Sequence, residues 1–191
     1  MSKHVYLLLK YILNTFDKYL LHYGEAVSAY TAQKGGILHE RKYTEYARVI
    51  MAWTAIDRDA ADVGGFNLLV PLADFEQTVF QGLNGPIYAL IALDCGNYEI
   101  PENENFNSQA SRDLYVDYIV NAENTDGGWS LDGGPAEIDI TAMALQALGK
   151  YQDRPDVQKA VERGLAYLSE QQNANGGFAD GNGETSEAIA Q

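Results

Sequence analysis

The sequence predicts an all-α chain. Three observations carry the prediction. Segments rich in alanine and aliphatic residues recur along the chain. Amphipathic segments with helical spacing lie between them. No stretch shows the strict apolar–polar alternation of a half-buried strand. With 191 residues, 46% of them hydrophobic, the chain can bury a sizeable core, and residues 1–191 are read as one domain.

The first element is N-terminal. "MSKHVYLLLKYILNTFDKYLLHYGEAV" predicts one or two amphipathic helices, with Lys10 and Asp17 interrupting the apolar run. A membrane span needs ~20 apolar residues, and no small-residue cleavage site follows this run. The chain as written is therefore expected to carry neither a span nor an export signal.

Three recurring segments follow: "TEYARVIMAWTAI" from Thr44, "NGPIYALIALDC" from Asn84 and "DITAMALQALGK" from Asp139. Aligning Ala52, Ala92 and Ala147 brings Trp53, Leu93 and Leu148 into register, and Thr44, Asn84 and Asp139 with them. A fourth copy begins at Glu187 in "EAIAQ". The intervals are uneven, as expected of helical repeats joined by variable loops. Each segment is apolar nearly all round, which predicts a helix buried on every side. Ala47, Ala52, Ala89, Ala92, Ala142, Ala144 and Ala147 would let neighbouring helices approach closely.

Between these inner segments lie "SQASRDLYVDYIVNAE" and "RPDVQKAVERGLAYLSEQQ". Both are amphipathic and predict surface helices. In the second, Val157, Val161, Leu165 and Leu168 form one apolar stripe. Pro155 followed by Asp156 marks its start. The loops after these helices, "ENTDGGWSLDGGPAE" and "QNANGGFADGNGETSE", match each other. Gly127-Gly128-Trp129 aligns with Gly176-Gly177-Phe178. Paired glycines permit a sharp turn, after which the aromatic can fold back on the helix just left.

Charge excludes some partners. Acidic residues outnumber basic ones 27 to 13, for a net charge of −14. Nucleic acid and anionic membrane both need a basic footprint that is absent here. The one cysteine, Cys95, forms no intrachain disulfide and is expected to be a buried structural thiol, with Asp94 beside it disfavouring a reactive thiolate.

"RGLAYLSEQQNANGGF" carries a family resemblance. Arg163, Gly164, Tyr167, Leu168, Gln172, Gly176 and Phe178 resemble the QW repeat of squalene cyclases and related α/α-toroid proteins. Tyr118, Ile119, Glu123, Gly127 and Trp129 resemble a weaker copy. "DITAMALQAL" is similar to helix starts in vitamin B12 carriers. "RKYTEYARVIMAWTAI" and "NGPIYALIALDCGNYEIP" resemble prenyltransferase-like domains of Firmicutes surface proteins. The resemblance implies an α/α toroid of inner and outer helices. It implies a partial barrel here, with roughly four of six repeats present. It also implies a secreted or surface setting for the full-length protein, and an exposed barrel edge suits a homo-oligomer.

Class II terpene cyclases protonate an alkene with the middle acid of Asp-x-Asp-Asp-Thr-Ala. Glu137, Asp139, Ile140, Thr141 and Ala142 resemble that motif. The middle acid stands at Asp139, but Ile140 replaces its neighbour. Asp139 is thus a candidate general acid of a cyclase-like enzyme. The competing reading makes it a helix cap, as Thr44, Asn84 and Glu187 would be at the equivalent starts. Tyr46, Trp53, Tyr88 and Trp129, with Asp139, are candidate ligand-binding residues, because aromatic walls suit a polyprene or a corrinoid. The competing reading is that they pack.

Other chemistries are less well supplied. His4, His22 and His39 are irregularly spaced and Cys95 has no partner at ligand spacing, so no zinc site is expected. Asp126, Asp132 and Glu137, or Asp180 and Glu184, offer calcium-type oxygens without EF-hand spacing. Glu45, Asp94 and Asp139 are conceivable members of a glycosidase pair. No cofactor is expected. The function expected is a non-catalytic ligand-binding or interaction module for an apolar or corrinoid ligand. The alternative is a cyclase using Asp139.

Overall fold

The computed structural model describes the backbone of residues 3–180 and 183–185 and the side chains of 17–179. Glu187 and the side chains of His4, Asp180 and Glu184 lie outside the described residues. The chain is all-α, as the sequence predicts. Its helices are α1 (Lys3–Gln33), α2 (Thr44–Ala55), α3 (Phe75–Val79), α4 (Asn84–Cys95), α5 (Arg112–Asn121), α6 (Ile138–Leu148) and α7 (Pro155–Gln171). The N-terminal amphipathic pattern forms one helix, α1. After α7, strands β1 (Phe178–Asp180) and β2 (Gly183–Thr185) pair antiparallel, Phe178 opposite Thr185. That hairpin was not legible in so short and glycine-rich a loop.

The three alanine-rich segments become α2, α4 and α6, packed side by side in that order. They run parallel. At one end the Thr44 hydroxyl donates to Gln81 Oε1, just before α4, at 3.3 Å. At the other end the Thr54 and Tyr98 hydroxyls meet at 2.7 Å. Between α4 and α6, Tyr151 donates to Asp94 Oδ2 and Lys150 Nζ to the Asp94 carbonyl, each at 2.7 Å, again joining the two C-terminal ends. Ala47, Ala89, Ala92 and Ala144 are fully buried. A side chain of one carbon is what lets the row pack tightly. Ala52 is only half-buried.

The amphipathic helices return in the opposite direction and cover the row. Arg112, opening α5, pairs with Asp94 at the end of α4 at 2.8 Å. Tyr167, near the end of α7, donates to the Ala136 carbonyl ahead of α6 at 2.7 Å. Pro155 opens α7 as expected. Its buried stripe differs from the sequence reading: Val157, Ala160, Val161 and Gly164 face inward, whereas Leu165 is 54% exposed. The inward face shifts because α7 lies over the Trp129 ring, which only a glycine at 164 accommodates.

The two matched loops fold alike. Asn124 N–H donates to the Gly128 carbonyl and Asn173 N–H to the Gly177 carbonyl, both at 2.8 Å. Gly127 and Gly176 have φ of 86° and 85°, a conformation that favours glycine. Residues 56–83 break the alternation. They pass through a 3-10 turn (Pro71–Ala73) and the five-residue α3 rather than a full outer helix. Buried Leu68, Leu69 and Leu72 tie this segment to the core, and the Tyr115 hydroxyl donates to the Leu72 carbonyl at 2.6 Å.

Candidate functional site

Because α2, α4 and α6 run parallel, their first residues gather at one end of the row. None of the three aligned residues is a cap. Thr44 and Asn84 are preceded by residues already in the helical region, Tyr43 and Leu83. Ahead of α6 it is Glu137 that holds the extended cap position (φ −110°, ψ 138°), and Asp139 is the second helical residue. This corrects the capping expectation for all three. Thr44 bonds Gln81, while Asn84 Oδ1 is buried with no partner among the described residues. Asp139 is half-buried and makes no hydrogen bond or ion pair to any described residue.

A carboxylic acid that protonates an alkene needs neighbours that hold its proton and strengthen it. Asp139 has none among the described residues. Glu137, the nearest acid in the motif, is exposed and turned to the Leu131 N–H at 3.0 Å. Thr141 is fully buried and bonded to the backbone of Trp129, accepting from its N–H at 2.9 Å. Glu137 and Thr141, two residues of the resembling motif, are thus spent on organising the loop before α6.

The candidate aromatics divide. Trp129 is 0% exposed, and its indole N–H donates to the Ile119 carbonyl at 2.7 Å. Burying such a ring, on the order of 200 Å², stabilises by about 5 kcal/mol as an upper bound. Packing therefore accounts for it: the ring folds back on α5, the helix it has just left, and lies beneath the surface. Trp53 is also buried, with its N–H on the Asp59 carbonyl at 3.0 Å and the Arg58 guanidinium over its ring. Tyr88 is half-buried on the free face of α4, beneath Arg48, 5.3 Å from the ring centroid. Tyr46 is 3% exposed, and its hydroxyl accepts from the Leu38 N–H and donates to the His39 carbonyl.

The polar clusters are structural. Asp126 accepts from the Gly128 and Ala136 N–H groups, and Asp132 from the Gly134 N–H. Their oxygens shape turns, and among the described residues no three His, Cys, Asp or Glu converge. Asp94 lies at the C-terminal end of α4, about 15 Å of helix rise from Asn84 at its start. Glu45 and Asp139 are at the opposite end of the row, so Asp94 opposes neither within the ~9.5 Å limit of a glycosidase pair. Cys95 is exposed, contrary to expectation, with its thiol donating to the Ala92 carbonyl. It ends α4 on the helix's solvent face, where Ala92 and Leu93 do not.

Tyr46 opens onto a cleft of about 550 Å³. The cleft lies between the end of α1, the start of α2 and the 66–71 loop. Ile37, His39, Glu40, Tyr43, Phe66 and Phe106 line it with Tyr46. Its size falls within the ~300–1,000 Å³ of small-molecule sites. The Tyr43 and Tyr46 rings meet edge to face, with centroids 5.3 Å apart. His39 Nδ1 accepts from the Arg41 and Lys42 N–H groups at 3.1 and 3.0 Å, which fixes the ring on the cleft wall. Burial pushes the Tyr43 hydroxyl above its ordinary value, and the Asp74 carboxylate adds to the shift. Sequence reasoning found Tyr46 here and missed the rest. The available signal was isolated aromatics in polar loops, Phe66 in "VGGFN" and Phe106 in "NENFNS". Among the described residues no helix is long and apolar enough to cross a membrane. Compared with protein-family models, curated proteins and solved structures, the chain matches none.

Proposed function

We propose that this chain is a non-catalytic ligand-binding module on the α/α-toroid plan of the squalene-cyclase and prenyltransferase-like proteins, and that it holds a compact apolar ligand in the cleft at the start of α2. The observation that carries the reading is the cleft itself, with aromatic and aliphatic walls and a volume of about 550 Å³. The parallel row of α2, α4 and α6 under the returning α5 and α7 supports the toroid plan. The unassisted carboxyl of Asp139 supports a non-catalytic role. Half-buried Met51 and Ile91, on the row's open face, support self-association, which sedimentation equilibrium reads directly.

The test is binding of the neutral fluorophore N-phenyl-1-naphthylamine. Its emission should rise on mixing, and Val70→Phe, which adds a ring at a lining residue of the 66–71 loop and narrows the cleft, should abolish the rise. No enhancement, or enhancement indifferent to Val70→Phe, refutes the reading. A corrinoid is the larger ligand of the same reading, and its visible absorbance would shift on binding. Incubation with squalene or a linear prenyl diphosphate should give no cyclised product. Product that disappears in Asp139→Asn would establish the cyclase instead.

A further inference from the structure

We infer that the cleft at the start of α2 selects an organic cation, a quaternary or protonated amine carried on an apolar body. The inference rests on the ligand-binding reading above and adds the sign of the ligand's charge. Four aromatic rings line the one cleft: Tyr43, Tyr46, Phe66 and Phe106. Tyr43 and Tyr46 pack edge to face on its wall, at 67° to each other. Aromatic rings present negative faces, and several around one volume attract a cation that has shed its water.

The fixed charges point the same way. Glu40 is in the lining, and among the described lining residues none is Lys or Arg. Two of the nearby cations are already placed on other rings, and Lys42 is exposed outside the lining. Arg41 lies 4.3 Å from the centroid of Phe80, and Lys34 lies 5.7 Å from that of Tyr30. The Asp74 carboxylate also acts on the Tyr43 hydroxyl, adding to the effect of burial. His39 Nδ1 accepts from two backbone N–H groups, which holds the ring in place on the wall. The whole chain carries a net charge of −14, which favours encounter with cations over anions. These charges disfavour a diphosphate or a carboxylate as the occupant.

Three probes of one shape separate charge from apolar contact: benzyltrimethylammonium, its neutral isostere neopentylbenzene, and the anion phenylmethanesulfonate. Each competes against bound N-phenyl-1-naphthylamine. The cation should displace the dye about tenfold more tightly than the neutral isostere, and the sulfonate should be weakest. Glu40→Gln, an exposed position, should weaken the cation about fivefold and leave the neutral isostere unchanged. Tyr43→Leu should weaken the cation more than the isostere. Equal affinity of cation and isostere, or a preference for the sulfonate, overturns the inference and leaves the apolar-ligand reading standing. Failure of the dye to bind at all removes both.

Discussion

Replacing Asp139 with alanine separates two accounts of how α6 begins. A capping aspartate accepts a backbone N–H bond, and losing it costs about 1 kcal/mol, up to about 2. In the structure Glu137 holds the cap position and Asp139 is the second helical residue, without a hydrogen bond to any described residue. Its carboxylate then supplies only a negative charge in the first turn, worth about 0.3–1 kcal/mol at low salt. Alanine returns up to about 0.7 kcal/mol through its higher helix propensity. The two terms oppose each other. Asp139→Ala should therefore change the unfolding free energy by less than about 0.5 kcal/mol. With a urea m-value of about 2 kcal/mol/M, that is a midpoint shift of about 0.25 M or less by circular dichroism. In 1 M salt the charge term is screened, and the variant should match or exceed the parent. A loss of 1 kcal/mol or more, unchanged by salt, would refute the reasoning and restore Asp139 as a cap.

Two further outcomes follow from close contacts and from charge. A Cβ at Gly85 would stand 1.8 Å from the Thr78 backbone carbonyl oxygen, with no flexible side chain to yield, so Gly85→Ala should cost about 3 kcal/mol or more, against the ~1 kcal/mol that the exchange usually gains inside a helix; a neutral or stabilising result in urea unfolding would contradict that contact. Hydrogen bonds from Arg154 hold the Asp156 carboxyl down at about 2, below its ordinary 3.8. A carboxyl lowered in the folded state adds stability above its ordinary value, and that contribution disappears as pH falls through about 2. Carbon-detected NMR titration should place the Asp156 midpoint near pH 2 and return it towards 3.8 in Arg154→Met, and an ordinary midpoint in the parent would disprove the pairing.

The outer helices and their turns were legible because their signals are local. Pro155 opens α7, and the two Asn-x-x-Gly-Gly loops fold alike because each carries its own glycine at the same place. The candidate site was legible only in Tyr46. Its other walls come from loop residues with no periodic pattern, namely His39, Glu40, Phe66 and Phe106, drawn together across 68 positions of sequence. Trp129 shows a different limit: it folds back on α5 as the glycine pair allowed, but its full burial needed the tertiary structure. An aromatic after a glycine pair reads equally as a loop mouth or as a lid folded into the core, and only the space beneath α7, free of a side chain at Gly164, decides which.

By itself the sequence determined the helical class, the recurrence of alanine-rich segments and their alternation with amphipathic ones. These follow from apolar spacing and residue size, which each segment carries within itself. The tertiary structure alone decided that α2, α4 and α6 run parallel, that Asp139 sits inside the first turn of its helix, that Cys95 is exposed and that a cleft opens beside Tyr46. Each depends on groups far apart in the chain meeting at one place. Thr44 meets Gln81, Asp94 meets Arg112 and Tyr151, and Tyr43 and Tyr46 share a cleft with Phe106. Pairings of that kind are set by the packing of whole helices and leave no mark on the local pattern of either partner.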